Sequence, residues 1–379
     1  MTRLLAFGTF LALVGLLLHF RYVRATRLSR PWSTAADVVL IGMWVLALIG
    51  IGSGELFDPA WARVPAFVGL SWLAVVLYLV LGTTVLGLLT LLIRIVMACA
   101  RRDSTVVRVR VTRIGSAVVA AGSVLTVGYG LVEAAHPRVT ETTVALDRLP
   151  DEFDGLRVAL VSDLHVGPAR GVGFVQKVVD QVNAQSPDLV VLDGDLIDGT
   201  VDLVGSDLAP LQQLSAPLGV FGVSGNHEFY ADDGGKWLDV WETLGVRVLR
   251  NEHETVTRSG ASVDIAGIND ATAPLPYEPD LAAALDGRNN DDFVLLLAHQ
   301  PLQAFEASDM GVDFQVSGHT HAGQIWPLRY LVTLQQPSVE GLDTVGDTTL
   351  YTTRGAGAWG PPVRVAAPPE ISMLQLVTS

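Results

Sequence analysis

The chain has 379 residues, half of them hydrophobic, with a formal net charge of −14. Residues 1–138 hold 13 Lys and Arg against 5 Asp and Glu, whereas residues 139–379 hold 12 against 34. The acidic C-terminal part argues against nucleic acid as a partner, because phosphate backbones bind basic surfaces. The single cysteine, Cys99, excludes an internal disulfide framework and a thiolate metal site.

Four long stretches in the N-terminal part are nearly free of charge. A helix that crosses a bilayer needs about 20 apolar residues. Four such stretches in succession predict a bundle of about four transmembrane helices, because they offer water no polar face. The first stretch is not typical of a signal peptide, since its basic flank follows it and no small-residue cleavage site is present. The stretches are Leu4–Phe20, Ala36–Ser53, Ala66–Ala98 and Ile114–Val132.

Arginine distribution predicts the orientation of these helices. Residues 21–35 carry four Arg and no acid, and residues 99–113 carry five Arg and one acid. The positive-inside rule therefore places both loops in the cytoplasm. Residues 66–98 form either one long helix or a tight pair of spans, which would reverse the orientation, and the charge pattern favours one helix. With four spans, the chain after Val132 lies outside the cytoplasm of a multi-pass membrane protein.

The hydropathy pattern predicts three regions. Residues 1–135 form the transmembrane domain, 136–154 a linker and a first strand, and 155–379 a separate domain. Alternating strand and helix patterns followed by short antiparallel segments predict two packed mixed sheets with helices outside, an α/β fold. Helices are predicted over Phe174–Asn183, Leu203–Leu214 and Trp237–Leu244, and a hairpin around Ser259 and Gly260.

Five apolar runs in the C-terminal region end in Asp, Asn or His. Such runs are typical of strands buried in a parallel sheet, whose carboxyl ends bind ligands in open α/β folds. Oxygen and nitrogen ligands without sulfur suit borderline divalent ions such as Mn, Fe or Zn. The polar residues that follow the runs are Asp163 and His165; Asp195 and Asp198; Asn226 and His227; His299; and His319 and His321.

This arrangement predicts a two-metal hydrolase with Asp195 between the ions. A bridging carboxylate can hold two ions about 3.5–4 Å apart. Such a pair activates a water molecule and stabilises the oxygens of an in-line phosphoryl displacement. Any one of these histidines alone would more often be structural, but the five motifs together point to a metal centre.

The motifs resemble the signature of the calcineurin-like metallophosphoesterases over residues 155–325. The sequence from Gly318 to Ile325, with Arg354-Gly355 and Pro369-Glu370-Ile371, resembles the bacterial membrane-associated branch of that family. The family motifs present are Asp163-x-His165, Gly194-Asp195-x-x-Asp198, Gly225-Asn226-His227-Glu228, His299 and Gly318-His319-x-His321.

The resemblance implies a calcineurin-like two-sheet sandwich and a role for each motif residue. His227 stabilises the transition state or protonates the leaving oxygen, oriented by Asp198, and is not a ligand. Ala322 stands where a second glycine is frequent in this branch, which predicts little beyond a slightly stiffer turn. The implied ligands are Asp163, His165 and His321 for the first metal, Asn226, His299 and His319 for the second, and Asp195 for both.

Several other residues allow two interpretations. Glu228 either supports the metal ligands or is simply a carboxylate at a helix start. Arg354 could contact a phosphate, but a structural salt bridge is favoured. Asp193 is interpreted as a structural hydrogen-bonding residue. Three tryptophans are interpreted as core or interface residues rather than a substrate platform, namely Trp237, Trp241 and Trp359.

The sequence therefore predicts a membrane-anchored phosphoesterase with two divalent metal ions. Its substrate is a phosphodiester, a phosphomonoester or a pyrophosphate, either lipid-linked or soluble, because one metal core serves all of these. The alternative is a membrane transport or sensor protein with a non-catalytic metal-binding domain. The spans argue against this alternative, since none has an acidic residue or a lysine near its middle.

Overall fold

The computed structural model describes residues 2–379, which form two compact units. The helical unit contains the described residues up to Ser53, then Ala60–Val132 and Gly360–Val363. The C-terminal unit contains Gly54–Pro59, Glu133–Trp359 and Arg364–Ser379. The short connection between the second and third long helices thus belongs to the C-terminal unit.

Four long apolar helices form the helical unit, which confirms the predicted number. All four are long and apolar enough to cross a membrane. The third is one continuous helix of 41 residues, so it is not a pair of spans. The helices are α1 (Thr2–Leu18), which continues as a π-helical segment over His19–Arg24, α2 (Arg30–Gly52), α3 (Pro59–Cys99) and α4 (Thr105–Ala134).

Polar side chains join the helices of this unit to one another. The Trp44 indole N–H donates to the carbonyl of Gly8 over 3.0 Å, and the Arg113 Nε donates to the carbonyl of Thr26 over 2.7 Å. Hydrogen bonds of this kind hold helices together where surrounding lipid provides no hydrophobic driving force for association.

The C-terminal unit is built on two six-stranded mixed sheets. The first sheet has the strand order β1-β12-β2-β3-β4-β5, and the second has the order β10-β11-β9-β8-β7-β6. The strands are β1 (Arg138–Leu146), β2 (Leu156–Val161), β3 (Leu189–Asp193), β4 (Val220–Val223), β5 (Arg247–Val248), β6 (Glu252–Arg258), β7 (Ala261–Gly267), β8 (Phe293–Leu297), β9 (Phe314–Ser317), β10 (Gly341–Val345), β11 (Thr348–Thr352) and β12 (Glu370–Thr378).

Helices flank these two sheets. They are α5 (Val172–Ala184), α6 (Val201–Val204), α7 (Glu228–Ala231), α8 (Gly234–Thr243), α9 (Leu281–Leu285), α10 (Ala304–Asp309) and α11 (Arg329–Val332).

Side chains of β3 alternate between two hydrophobic cores. Leu189 and Val191 pack in the core between the two sheets, and Val190 and Leu192 pack in the core under α5 and α8. Because both faces of the strand are buried, its sequence is a continuous apolar run rather than an alternating one. This packing confirms the predicted two-sheet α/β sandwich with helices outside.

One predicted helix has a different form. Over Leu203–Leu214, the structure has the end of the short α6 and then a 3₁₀ segment, Gly205–Gln213. Pro210 lies inside that segment and has no N–H to donate to an α-helical hydrogen bond. The apolar spacing at this place therefore buries Leu208 and Leu211 without a regular α-helix.

Candidate metal centre

The predicted ligands all lie at strand ends of the two sheets. Three motifs follow β2, β3 and β4 of the first sheet, and two follow β8 and β9 of the second. Because the sheets pack face to face, the structure brings all five motifs to one place. Every predicted ligand is buried except His319, which is half-buried.

One ligand cluster contains Asp163, His165 and His321. The Nε2 atom of His321 lies 3.2 Å from Asp163 Oδ1 and 3.0 Å from the Nε2 of His165. One potential ligand atom from each residue falls within 4.8 Å of the other two. A carboxylate and two ring nitrogens that converge in a buried place form the kind of site that a divalent cation occupies.

A second cluster contains Asp195, His299 and His319. The Nδ1 of His299 is 2.6 Å from the carbonyl of Asp193, so Nδ1 carries the proton and Nε2 presents a lone pair. Among the described residues, neither this Nε2 nor the buried Oδ1 of Asn226 has a hydrogen-bond partner. Buried polar atoms are rarely left unpaired, so both fit a metal ligand role.

Asp195 belongs to the second cluster and also joins His165 and His227 in a third group of potential ligand atoms. Its Oδ2 is 3.2 Å from His299 Nε2, 3.8 Å from His165 Nε2 and 3.9 Å from His227 Nε2. Burial by itself raises the pKa of Asp195, but these imidazoles outweigh it and hold the pKa well below its usual range. The carboxylate is therefore anionic and within reach of both clusters.

Five of the predicted ligands have left-handed backbone conformations. The φ angles are 58° at Asp163, 47° at His165, 52° at Asp195, 67° at His319 and 50° at His321. Non-glycine residues in this region cost of order 1–3 kcal/mol each. Backbone strain at five of the predicted ligands indicates that function, rather than stability, determines the conformation of this site.

Asp198 contacts two histidines. Its Oδ1 is 2.6 Å from the Nδ1 of His227 and 3.0 Å from the Nδ1 of His165. Burial by itself lowers the pKa of His227, but Asp195 and Asp198 outweigh it and raise the pKa to about 9. The sequence prediction had Asp198 orient His227, and the contact with His165 was missed.

Glu228 accepts three backbone hydrogen bonds. The donors are the N–H groups of Asp195, Leu196 and Gly225, at 3.0, 2.9 and 2.7 Å. Its side chain thus joins the loop after β3 to the loop after β4, which supports the first of its two interpretations. Burial and the neighbouring Asp195 raise the pKa of Glu228 to about 7.

Glu228→Ala is expected to weaken metal binding by roughly 10–100-fold, as loss of an outer partner of a metal site does. The substitution leaves three buried N–H groups without an acceptor and releases the loop that carries Asp195. Calorimetric titration with Mn²⁺ measures the affinity. Exposed Glu242→Ala is the matched control, and equal affinities for the two variants would refute the positioning role.

Gly225 lies closely against Asp195. A Cβ at this position would lie 2.3 Å from Asp195 Oδ1 and 2.5 Å from its backbone N. No side chain fits there without moving the carboxylate, which explains the glycine before Asn226.

Arg364 is a part of the site that sequence analysis missed. Its guanidinium is fully buried and contacts His321 twice, 3.0 Å from Nδ1 and 2.8 Å from the carbonyl oxygen. Its Nε donates to the carbonyl of Gly357 over 2.9 Å. An arginine between two valines carries no motif that could have revealed this contact.

Arg354 forms the favoured salt bridges, and two of the three tryptophans are core residues as interpreted. Arg354 makes ion pairs with Glu370 and Glu340. Trp237 and Trp241 are fully buried core residues. Trp359 is 57% exposed, and its ring centroid lies 6.1 Å from that of His227.

Ala322 has a left-handed conformation, with φ of 53°. This goes beyond the stiffer turn that the sequence predicted. Ala322→Gly is expected to stabilise the protein by about 0.5–1 kcal/mol, because glycine adopts this conformation without steric cost. The midpoint of thermal unfolding measures the change. Ala304→Gly, at a right-handed position with φ of −64°, is the control and should destabilise.

Comparison with known proteins identifies the family. Residues 156–323 match the calcineurin-like phosphoesterase family. A Danio rerio transmembrane protein with metallophosphoesterase domain is 38% identical over 259 residues, which cover 65% of this chain and 59% of that protein. An uncharacterized metallophosphoesterase of Helicobacter pylori is 39% identical over 247 residues, which cover 64% of this chain and 65% of that protein. The metallophosphoesterase YkuE of Bacillus subtilis is 32% identical over 263 residues, covering 66% of this chain and 90% of YkuE.

The fold and the clustered ligands define a metallophosphoesterase domain joined to four helices that are long and apolar enough to span a membrane. The chain belongs to the calcineurin-like metallophosphoesterase family. Similar proteins occur in animals as well as bacteria, so the resemblance is wider than the bacterial branch named from the motifs.

Proposed function

We propose that this protein is a membrane-anchored hydrolase of phosphoester or pyrophosphate bonds. The observation that carries the proposal is the position of Asp195, whose carboxylate lies within 4 Å of nitrogen atoms from both ligand clusters. A family fold without this convergence would support only a binding role.

Two divalent ions bound at these clusters would supply an activated water and offset the charge of the phosphoryl oxygens. His227 is held by Asp198 in the protonated form at neutral pH, so it can donate a proton to the leaving oxygen. The proposed ligands are Asp163, His165 and His321 for one ion, Asn226, His299 and His319 for the other, and Asp195 for both.

Mn, Fe and Zn are the ions that the ligands favour. All seven proposed ligands offer oxygen or imidazole nitrogen, and the single cysteine lies at the end of α3. Sites of this composition select borderline divalent ions over Ca or Cu(I). Elemental analysis of the protein purified from cells identifies the ion.

We propose that the C-terminal unit lies outside the cytoplasm. Two Arg-rich loops support this orientation through the positive-inside rule. Residues 54–59 belong to the C-terminal unit although α3 and α4 separate them from the rest of it, so the loop before α3 and the chain after α4 share one side of the membrane, opposite the Arg-rich loops. Fusions of alkaline phosphatase after His136 and after Arg102 test this: the first is expected to be active and the second inactive.

A lipid-linked phosphate or pyrophosphate is the substrate class that we propose. The four membrane helices keep the metal centre attached to a bilayer. Lipid substrates are concentrated there, whereas soluble phosphate esters gain nothing from the anchor.

Hydrolysis of three substrates by the full chain in detergent with added Mn²⁺ tests the function. The substrates are an aryl phosphodiester, an aryl phosphomonoester and a polyprenyl pyrophosphate. The full chain is required because Gly54–Pro59 form part of the C-terminal unit. Asp163→Asn is the inactive control. A preparation that binds two ions and cleaves none of the three would rule out the hydrolase, and cleavage of only the aryl esters would rule out the lipid preference.

A further inference from the structure

Large apolar side chains are exposed on the segment that follows the His321 turn. The exposed fractions are 52% for Trp326, 64% for Tyr330, 59% for Leu331 and 79% for Leu334. We call residues 326–334 the rim segment. An exposed apolar patch next to a functional site commonly marks an interaction surface.

The rim segment differs in charge from the rest of its unit. Residues 322–339 contain no Asp or Glu, although the C-terminal half of the chain is strongly acidic. Arg329 is the single charged residue of this stretch and forms an ion pair with Glu340. Trp, Tyr and Leu beside a basic residue are the composition of segments that lie at a lipid–water interface, and the lack of acids suits anionic lipids.

Hydrogen bonds of Gln324, two residues before the rim segment, join this part of the chain to the metal centre. Gln324 donates its backbone N–H to the carbonyl of His321 over 2.9 Å. Its side chain exchanges two hydrogen bonds with the backbone of Trp359, at 2.7 and 2.8 Å. The ring of Trp359 lies near that of His227. The rim segment therefore begins a few residues after His321, a proposed metal ligand, and Gln324 connects the start of this segment to Trp359, which lies beside the proposed acid His227.

Chain connectivity links the loop that carries Asp198 to the proposed membrane helices. Gly54 lies two residues after the end of α2 and five before the start of α3. Its carbonyl accepts a hydrogen bond of 2.9 Å from the N–H of Thr200. A Cβ on Gly54, whose φ is +86°, would lie 2.5 Å from the carbonyl oxygen of Asp198. The loop that carries Asp198 thus contacts a residue that must lie at the end of two membrane helices.

We propose that the rim segment, together with Trp359, contacts the bilayer surface and presents lipid-borne phosphates to the metal centre. This inference rests on the proposed function and identifies how its substrate arrives. The side chains of the rim segment enter the lipid headgroup region, and the metal ligands stay outside that region. A second copy of the chain or another protein on this surface is the competing occupant.

Depth-dependent fluorescence quenching tests the contact. The full chain carries Cys99→Ser and one new cysteine, Leu331→Cys or Leu334→Cys, labelled with a small fluorophore in nanodiscs that hold one protein each. The matched control is Leu275→Cys, at a side chain that is 82% exposed on the same unit. Doxyl-labelled phosphatidylcholine is expected to quench the dye at 331 and 334 at a depth of about 5–10 Å. The dye at 275 is expected to keep its fluorescence.

Equal quenching at all three positions, or none at 331 and 334, overturns the proposal. In separate nanodiscs that hold two proteins and unlabelled lipid, quenching of the dye at 331 and 334 by a spin-labelled second copy, without quenching by doxyl lipid in the single-protein discs, would assign the surface to self-association instead. Both results are measured as fluorescence of the labelled protein in nanodiscs, so neither depends on catalytic turnover.

Activity provides an independent readout. The double substitution Leu331→Asp and Leu334→Asp is expected to lower hydrolysis of a polyprenyl pyrophosphate in nanodiscs by about tenfold or more, a difference of 1.4 kcal/mol. Hydrolysis of a soluble aryl phosphodiester is expected to stay unchanged, because neither leucine is a proposed ligand. Leu275→Asp is the control for both substrates. If the double substitution lowers hydrolysis of both substrates, the proposed role of the rim segment is wrong. If the wild type hydrolyses neither substrate, the proposed function itself is wrong.

Discussion

Asp195→Asn is expected to remove metal and activity together. The Asp195 carboxylate is the group that reaches both clusters. The amide of asparagine has one oxygen instead of two and carries no negative charge to offset two cations. We expect kcat/KM to fall by about a thousandfold or more, or ~4 kcal/mol of transition-state stabilisation. Elemental analysis and turnover of an aryl phosphodiester on the same sample measure the two effects.

Asp193→Asn is the matched control for this prediction. Asp193 is fully buried two residues away, and burial raises the pKa of its carboxyl to about 8, so at neutral pH an amide resembles its protonated form. This variant is expected to keep both ions. If Asp195→Asn retains two ions and full turnover, the proposed bridging role is wrong.

His227→Gln is expected to lower kcat by roughly 10²–10⁴-fold while both ions stay bound. The side chain is proposed to act as an acid, not as a ligand, so its loss removes proton donation and leaves the metal set intact. KM and metal content are therefore expected to change little. Loss of an ion from this variant would show that His227 is a ligand after all.

The pH dependence of kcat also tests the proposed role of His227 as an acid. Because the pKa of His227 is raised to about 9, its protonated form is present at neutral pH and is lost as the pH rises. Bound cations repel the imidazolium, so the alkaline decline of kcat is expected below pH 9. His227→Gln should lack this decline. Asp198→Asn should move it to lower pH, since Asp198 stabilises the imidazolium.

Asp198→Asn and His227→Gln are expected to be non-additive. Their side chains share one contact of 2.6 Å, so the double variant should be no worse than His227→Gln alone, apart from the contact of Asp198 with His165. Independent effects that multiply would mean that Asp198 acts mainly through His165.

The sequence alone determined the architecture and most of the site. Four nearly uncharged stretches predict membrane helices because a bilayer admits few charges, and short continuous apolar runs predict strands buried on both faces. Asp, Asn and His directly after such runs could be assigned to one metal centre, since ligands bind at the carboxyl ends of strands in open α/β folds. Six of the predicted ligands lie in groups whose potential ligand atoms converge, and the Asp195 carboxylate approaches nitrogen atoms of both clusters.

Tertiary structure alone decided which remote residues support that site. Arg364 contacts His321 from a Gly- and Pro-rich loop, and Gly54 contacts the Asp198 loop from the short connection between α2 and α3. Such contacts depend on where loops meet in space, whereas periodicity reports only which face of an element is apolar. Glu228 is intermediate, because the sequence places it beside a ligand but only the fold turns its carboxylate onto three backbone N–H groups.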